Sequence, residues 1–93
     1  MNKCLKILVF TKKSDSNISN IIQKMAKKYK LEGSAQSNEN SIKITACGKK
    51  NEMDEFIDKI YKELQAFDIS NDDIEIEPFI KDKDYRGVFR IIE

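Results

Sequence analysis

Histidine is missing from all 93 residues, which removes Ser-His-Asp and Cys-His nucleophilic arrangements and any zinc site built on an imidazole. Only two cysteines occur, Cys4 and Cys47; they form no Cys-x-x-Cys pair, so dithiol redox chemistry of that kind is also set aside. Tryptophan is absent, proline occurs once and glycine three times. No apolar run approaches the ~20 residues needed to cross a bilayer. The start, Met1-Asn2-Lys3, leads at once into Cys4-Leu5-Lys6-Ile7-Leu8-Val9-Phe10, without the longer apolar region and small-residue cleavage site of a signal peptide. The expected address is therefore cytoplasmic, with no membrane partner. Both cysteines sit among apolar neighbours and are expected to be reduced and to pack as small hydrophobes.

A chain of this length buries roughly 60–65% of its unfolded surface, enough for one two-layer core, so residues 1–93 are expected to form a single domain. The net charge of +1 conceals an asymmetry. Residues 1–50 carry 11 lysines against three acids, +8, and residues 51–93 carry six bases against 13 acids, −7. The two halves attract each other. The simplest consequence is a pair of solvated helices that pack side by side. A nucleic-acid partner is disfavoured, because such domains are basic overall and interleave aromatics with their bases; the version left open uses Lys24, Lys27, Lys28 and Lys30.

Hydrophobic spacing supplies the elements. Residues 4–10 are nearly continuously apolar and read as a central strand. Ile18, Ile21, Ile22, Met25, Ala26 and Tyr29 recur at i, i+3, i+4, i+7, which predicts a helix over about 18–30, left through Gly33 as a left-handed cap. Residues 34–37 are placed for a second strand, and Ile42-Lys43-Ile44-Thr45-Ala46-Cys47 alternates with period two as its hairpin partner. Asn51 and Asp54 resemble a capping box opening a second helix, whose buried stripe is Met53, Phe56, Ile57, Ile60, Leu64 and Phe67. Ile74-Glu75-Ile76-Glu77 is a fourth strand that Pro78 confines to an edge, and residues 88–92 form a short fifth. The order β-α-β-β-α-β, with right-handed crossovers, predicts an α/β (α+β) ferredoxin-like two-layer sandwich: an antiparallel sheet with both helices on one face.

Between the first strand and helix lies Thr11-Lys12-Lys13-Ser14-Asp15-Ser16-Asn17, followed by Ile18 and Ser19. Backbone N–H groups, hydroxyls and two ammonium groups at a helix start make a candidate anion cradle. It contains no glycine, and Asp15 adds a negative charge. Asp82, Asp84, Gly87 and Glu93 match spaced positions of an EF-hand loop, but Arg86 stands where an oxygen ligand is required, so no metal site is expected.

The strand-loop-helix spacing, the run Met25-Ala26-Lys27-Lys28-Tyr29-Lys30-Leu31-Glu32-Gly33, and Ile42-Lys43-Ile44-Thr45-Ala46-Cys47-Gly48 followed by Met53, Phe56 and Ile60 together resemble the acylphosphatase family across nearly the whole chain. That resemblance implies a G-x-V-Q-G-V-x-F-R loop whose amides and arginine bind an acyl phosphate, a second-strand asparagine that positions the attacking water, and no cofactor. In this sequence Thr11 and Asp15 stand where the main glycines belong, Ile18 replaces the phenylalanine and Ser19 the arginine. The asparagine position falls at Gln36, Ser37 or Asn38. A hydroxyl cannot supply the bidentate charge of a guanidinium, and losing such a contact costs on the order of 10² to 10³ in rate. The expectation is a family-like domain without the standard activity, acting as a binding or interaction module for an unidentified protein partner, with phosphate or an acyl phosphate as the anion at residues 11–19. The alternative is a divergent acylphosphatase that uses Lys12 or Lys13 with Asn38.

Overall fold

A computed structural model describes residues 2–11, 16–78 and 87–92. In chain order it contains β1 (Asn2–Phe10), α1 (Ser16–Lys28), β2 (Glu32–Ser37), β3 (Ser41–Lys49), α2 (Lys50–Gln65), a short 3-10 turn (Asn71–Asp73), β4 (Ile74–Pro78) and β5 (Phe89–Ile92). The strands form one sheet in the order β4-β1-β3-β2-β5. β1 lies antiparallel between β3 and β4, and β2 is antiparallel to β3. β5, however, runs parallel to β2, so the sheet is mixed where a purely antiparallel one was expected. The geometry leaves no choice: β1 and β2 point the same way, β4 points against them, and one reversal after β4 sends β5 along β2.

Alternation on the strands decides where the core sits. Leu5, Ile7 and Val9 on β1 and Ile42, Ile44 and Ala46 on β3 are buried on the face that both helices cover. Ile18, Ile22, Met25 and Ala26 descend from α1, and Met53, Phe56, Ile60 and Leu64 from α2, into the same cluster. Each large side chain fully buried there stabilises by about 1.5–3 kcal/mol. This is the two-layer, ferredoxin-like α+β arrangement with both helices on one face.

The end of α1 differs from the sequence expectation. After α1 the Lys30 N–H reaches the Lys27 carbonyl and the Leu31 N–H the Ala26 carbonyl, and Lys30 itself is left-handed at φ 57°. This is a Schellman motif, with buried Leu31 packed over Ala26. α2 repeats it: the Asp68 N–H reaches Gln65, the Ile69 N–H reaches Leu64, and Asp68 has φ 61°. Gly33, expected as the cap of α1, lies inside β2 instead. Its φ of +144° and the Thr45 carbonyl that a β-carbon would strike explain the glycine. The capping box is displaced as well. α2 starts behind Lys49 with no side-chain cap, whereas the Ser70 N–H and hydroxyl both donate to Asp73 Oδ2, at 3.0 and 3.1 Å.

The cysteines form a disulfide, Cys4–Cys47, which overturns the expectation of two reduced thiols. The reason is register. The two residues are direct partners across β1 and β3, their Cα atoms 4.1 Å apart, so their side chains leave the same face side by side. Apolar neighbours in sequence could not reveal that pairing.

Candidate functional site

The C-terminal end of β1, the start of α1 and the β2–β3 turn meet at one edge of the sandwich. The Thr11 N–H donates to the Asn40 carbonyl at 3.0 Å, and the Asn38 N–H to the Ser41 carbonyl at 2.7 Å, which fixes the turn against the end of β1. Ser19, in the first turn of α1, points at the end of β2. Its hydroxyl and that of Ser37 lie 3.0 Å apart in a hydrogen bond.

Ser19 is 4% exposed and is the one buried polar or charged residue among those described. A hydroxyl in such a place needs a partner, since leaving it unsatisfied costs about 1–3 kcal/mol, and Ser37 supplies it. One helical turn further on, Gln23 Nε2 donates to the Phe89 carbonyl at 3.2 Å. Two polar contacts on one flank of α1 thus seat the helix over β2 and β5.

Of the three sequence positions for the family's asparagine, the structure brings only Ser37 to Ser19. Gln36 precedes it in β2 and therefore points to the opposite face of the sheet, and Asn38 is exposed in the turn. Sequence spacing leaves three candidates; the strand register, which the spacing does not contain, decides which of them meets Ser19. The Ile18 side chain is buried in the core, so only its backbone N–H could face an anion. Lys12, Lys13, Ser14 and Asp15 lie outside the described residues, as do the side chains of Ser16 and Asn17, and so do Asp82, Asp84, Arg86 and Glu93 of the EF-hand-like pattern. Arg90 is exposed and alternates with buried Phe89, which places it on the sheet face away from the helices and from Ser19.

The described part of this edge carries no cationic side chain. Ser19 and Ser37 are neutral hydroxyls, and Glu39 in the adjoining turn is acidic. Among the described residues two hollows lie elsewhere. One of about 520 Å³ is lined by Gln65, Asp68, Ile69, Ser70, Asn71 and Asp72, and two carboxylates make it unsuited to anions. The other, about 320 Å³, lies between Lys6, Leu8, Glu75, Ile76 and Glu77. Neither includes Ser19 or Ser37. Among the described residues no group of three or more His, Cys, Asp or Glu side chains is arranged to hold a metal ion, and no helix is long and apolar enough to cross a membrane.

A family model described as Acylphosphatase matches residues 19–91. The chain belongs to the acylphosphatase family. Its fold superimposes on an acylphosphatase from Bacillus subtilis with a TM-score of 0.77 at 19% identity, over 100% of both chains. An acylphosphatase from Coxiella burnetii gives 0.77 at 16% identity, covering 98% of this chain and 93% of that one. Full-length HypF, in a phosphate- and nucleotide-bound form, gives 0.78 at 21% identity over 100% of this chain and 12% of that one. At such identities these structures share the fold with this chain, and the site must be argued from its own residues. No curated protein sequence matches the chain.

Ser19, expected from the sequence at the arginine position, and Ser37, one of the three positions expected for the asparagine, are bonded to each other.

Proposed function

We propose that this member of the acylphosphatase family lacks the standard hydrolytic activity and serves as a binding or interaction module, with weak affinity for phosphate or an acyl phosphate at residues 11–19. The Ser19–Ser37 hydrogen bond carries the reading. Catalysis of acyl phosphate hydrolysis requires fixed positive charge where the phosphoryl oxygens become more negative, and a group that orients water. In this reading the two hydroxyls stand near those positions, are bonded to each other, and carry no charge to offer a phosphoryl group. The pair acts as a structural clip.

What remains for an anion is the start of α1, with its free N–H groups and partial positive charge, together with Lys12 and Lys13 in the preceding loop. Such a point-charge cradle binds without the geometry that selects a transition state. Titration with inorganic phosphate, followed by backbone amide shifts, tests the binding half of the proposal. Selective movement of residues 11–19 is expected, and a spectrum unchanged at tens of millimolar phosphate would remove it. The competing reading, a divergent acylphosphatase, requires turnover of benzoyl phosphate that Lys12→Ala with Lys13→Ala abolishes.

A further inference from the structure

Among the described residues the opposite charges of the two halves of the chain meet in few places. Two ion pairs occur among the described residues, Lys3–Asp54 and Lys6–Glu77, each 3.4 Å long and each joining the basic half to the acidic half. Neither joins α1 to α2. Lys24, Lys27 and Lys28 are exposed on α1, and Glu55 and Asp58 are exposed on α2, with no ion-pair partner among the described residues. Half-buried Ile21 and Ile57 belong to the apolar margin of the same helix layer.

Placement along the helices is as ordered as the signs. Because β1 and β2 run one way and β3 and β4 the other, α1 and α2 are antiparallel in their shared layer. The helical period puts Asn20, Lys24 and Lys27 on the outward side of α1, and Glu55, Asp58 and Lys62 on that of α2. The α1 lysines occupy its C-terminal half, and Glu55 and Asp58 the middle turns of α2. Lys50 and Lys59 leave α2 toward its flanks.

We propose that the helix layer is a self-association surface, and that its occupant is a second copy of this chain. A twofold axis parallel to the helices, running above the groove between them on the outer side of the layer, lays α1 of each copy antiparallel over α2 of the other. Lys24, Lys27 and Lys28 of one copy then face Glu55 and Asp58 of the other, twice over, while Lys62 faces neutral Asn20. The contact is isologous and closes as a dimer. It is also small. Helices of 13 and 16 residues are about 20–24 Å long, and two side by side offer less than the roughly 800 Å² per partner of a standard stable interface. The association is therefore weak, and it is governed by charge.

Sedimentation velocity at millimolar chain concentration, in about 20 mM and about 500 mM salt, reads this directly. Dimer is expected at low salt, with association weakened at least about tenfold at high salt, where screening shortens to a few ångströms. The variant Lys24→Glu with Lys27→Glu is expected to be monomeric, and so is Glu55→Lys with Asp58→Lys. Mixing the two variants, each folded by circular dichroism, should restore a one-to-one dimer, because one presents two acidic faces and the other two basic ones. A monomer at every salt concentration, or variants that stay monomeric when mixed, would overturn the proposal. So would a dimer unaffected by both substitutions. A salt-dependent shift of RNA by the lysine face without self-association would overturn it in favour of a polyanion partner.

Discussion

The two crossovers of this fold, β1–α1–β2 and β3–α2–β4, solve the same problem with different materials. Both lay an amphipathic helix on the same sheet face, and both end it with a Schellman motif whose left-handed residue is not glycine. α2 buries Met53, Phe56, Ile60 and Leu64, all apolar. α1 buries an apolar stripe too, but at its first turn it also buries Ser19, bonded to Ser37. Among the described residues this is the one break in the apolar rule, and it falls at a position where the proposed reading puts a substituted family arginine.

The largest effect should come from the all-apolar crossover. Phe56→Ala removes a fully buried ring and is expected to cost about 3–5 kcal/mol in chemical denaturation. Reducing the Cys4–Cys47 disulfide, or replacing both residues by serine, releases a link across 43 positions and should lower stability by about 2–4 kcal/mol. That link joins β1 of the first crossover to β3 of the second, so its loss tests how far the two fold as one unit.

Smaller and more discriminating is the serine pair. Ser19→Ala should cost about 1 kcal/mol, and the double-mutant cycle with Ser37→Ala should return a coupling of about 0.5–1.5 kcal/mol. A coupling near zero would mean that the hydroxyls merely coexist. Smallest, and of opposite sign, is the pair of helix ends. Lys30→Gly should stabilise by about 0.5–1 kcal/mol by relieving a left-handed lysine, and Asp68→Gly by less, because Asp tolerates that conformation better. Thermal unfolding of the two variants side by side reads the difference.

The contrast between crossovers also explains what could be read from the chain alone. Both helices follow from period-3.6 spacing, β3 and β4 from period-two alternation and β1 from a nearly continuous apolar run, because burial acts on each element locally; β2 follows only from its position beside β3. What spacing does not hold is pairing between distant segments. The disulfide depends on Cys4 lying opposite Cys47, the mixed sheet on β5 joining the far edge, and the choice of Ser37 over Gln36 and Asn38 on the register of β2. The glycine rule misplaced the end of α1, because Leu31 packing over Ala26 made a left-handed Lys30 acceptable while Gly33 was needed inside β2. Of the site itself, Ser19 was legible as a substituted position; its partner was not.

The central claim is that the serine clip has replaced the machinery of hydrolysis. The most direct measurement sets initial rates of benzoyl phosphate hydrolysis by this chain beside those of the Bacillus subtilis acylphosphatase under identical conditions. A rate at least about 10² to 10³ lower is predicted, the loss that follows removal of one fixed charge-stabilising contact. A rate within tenfold of that enzyme would contradict the account.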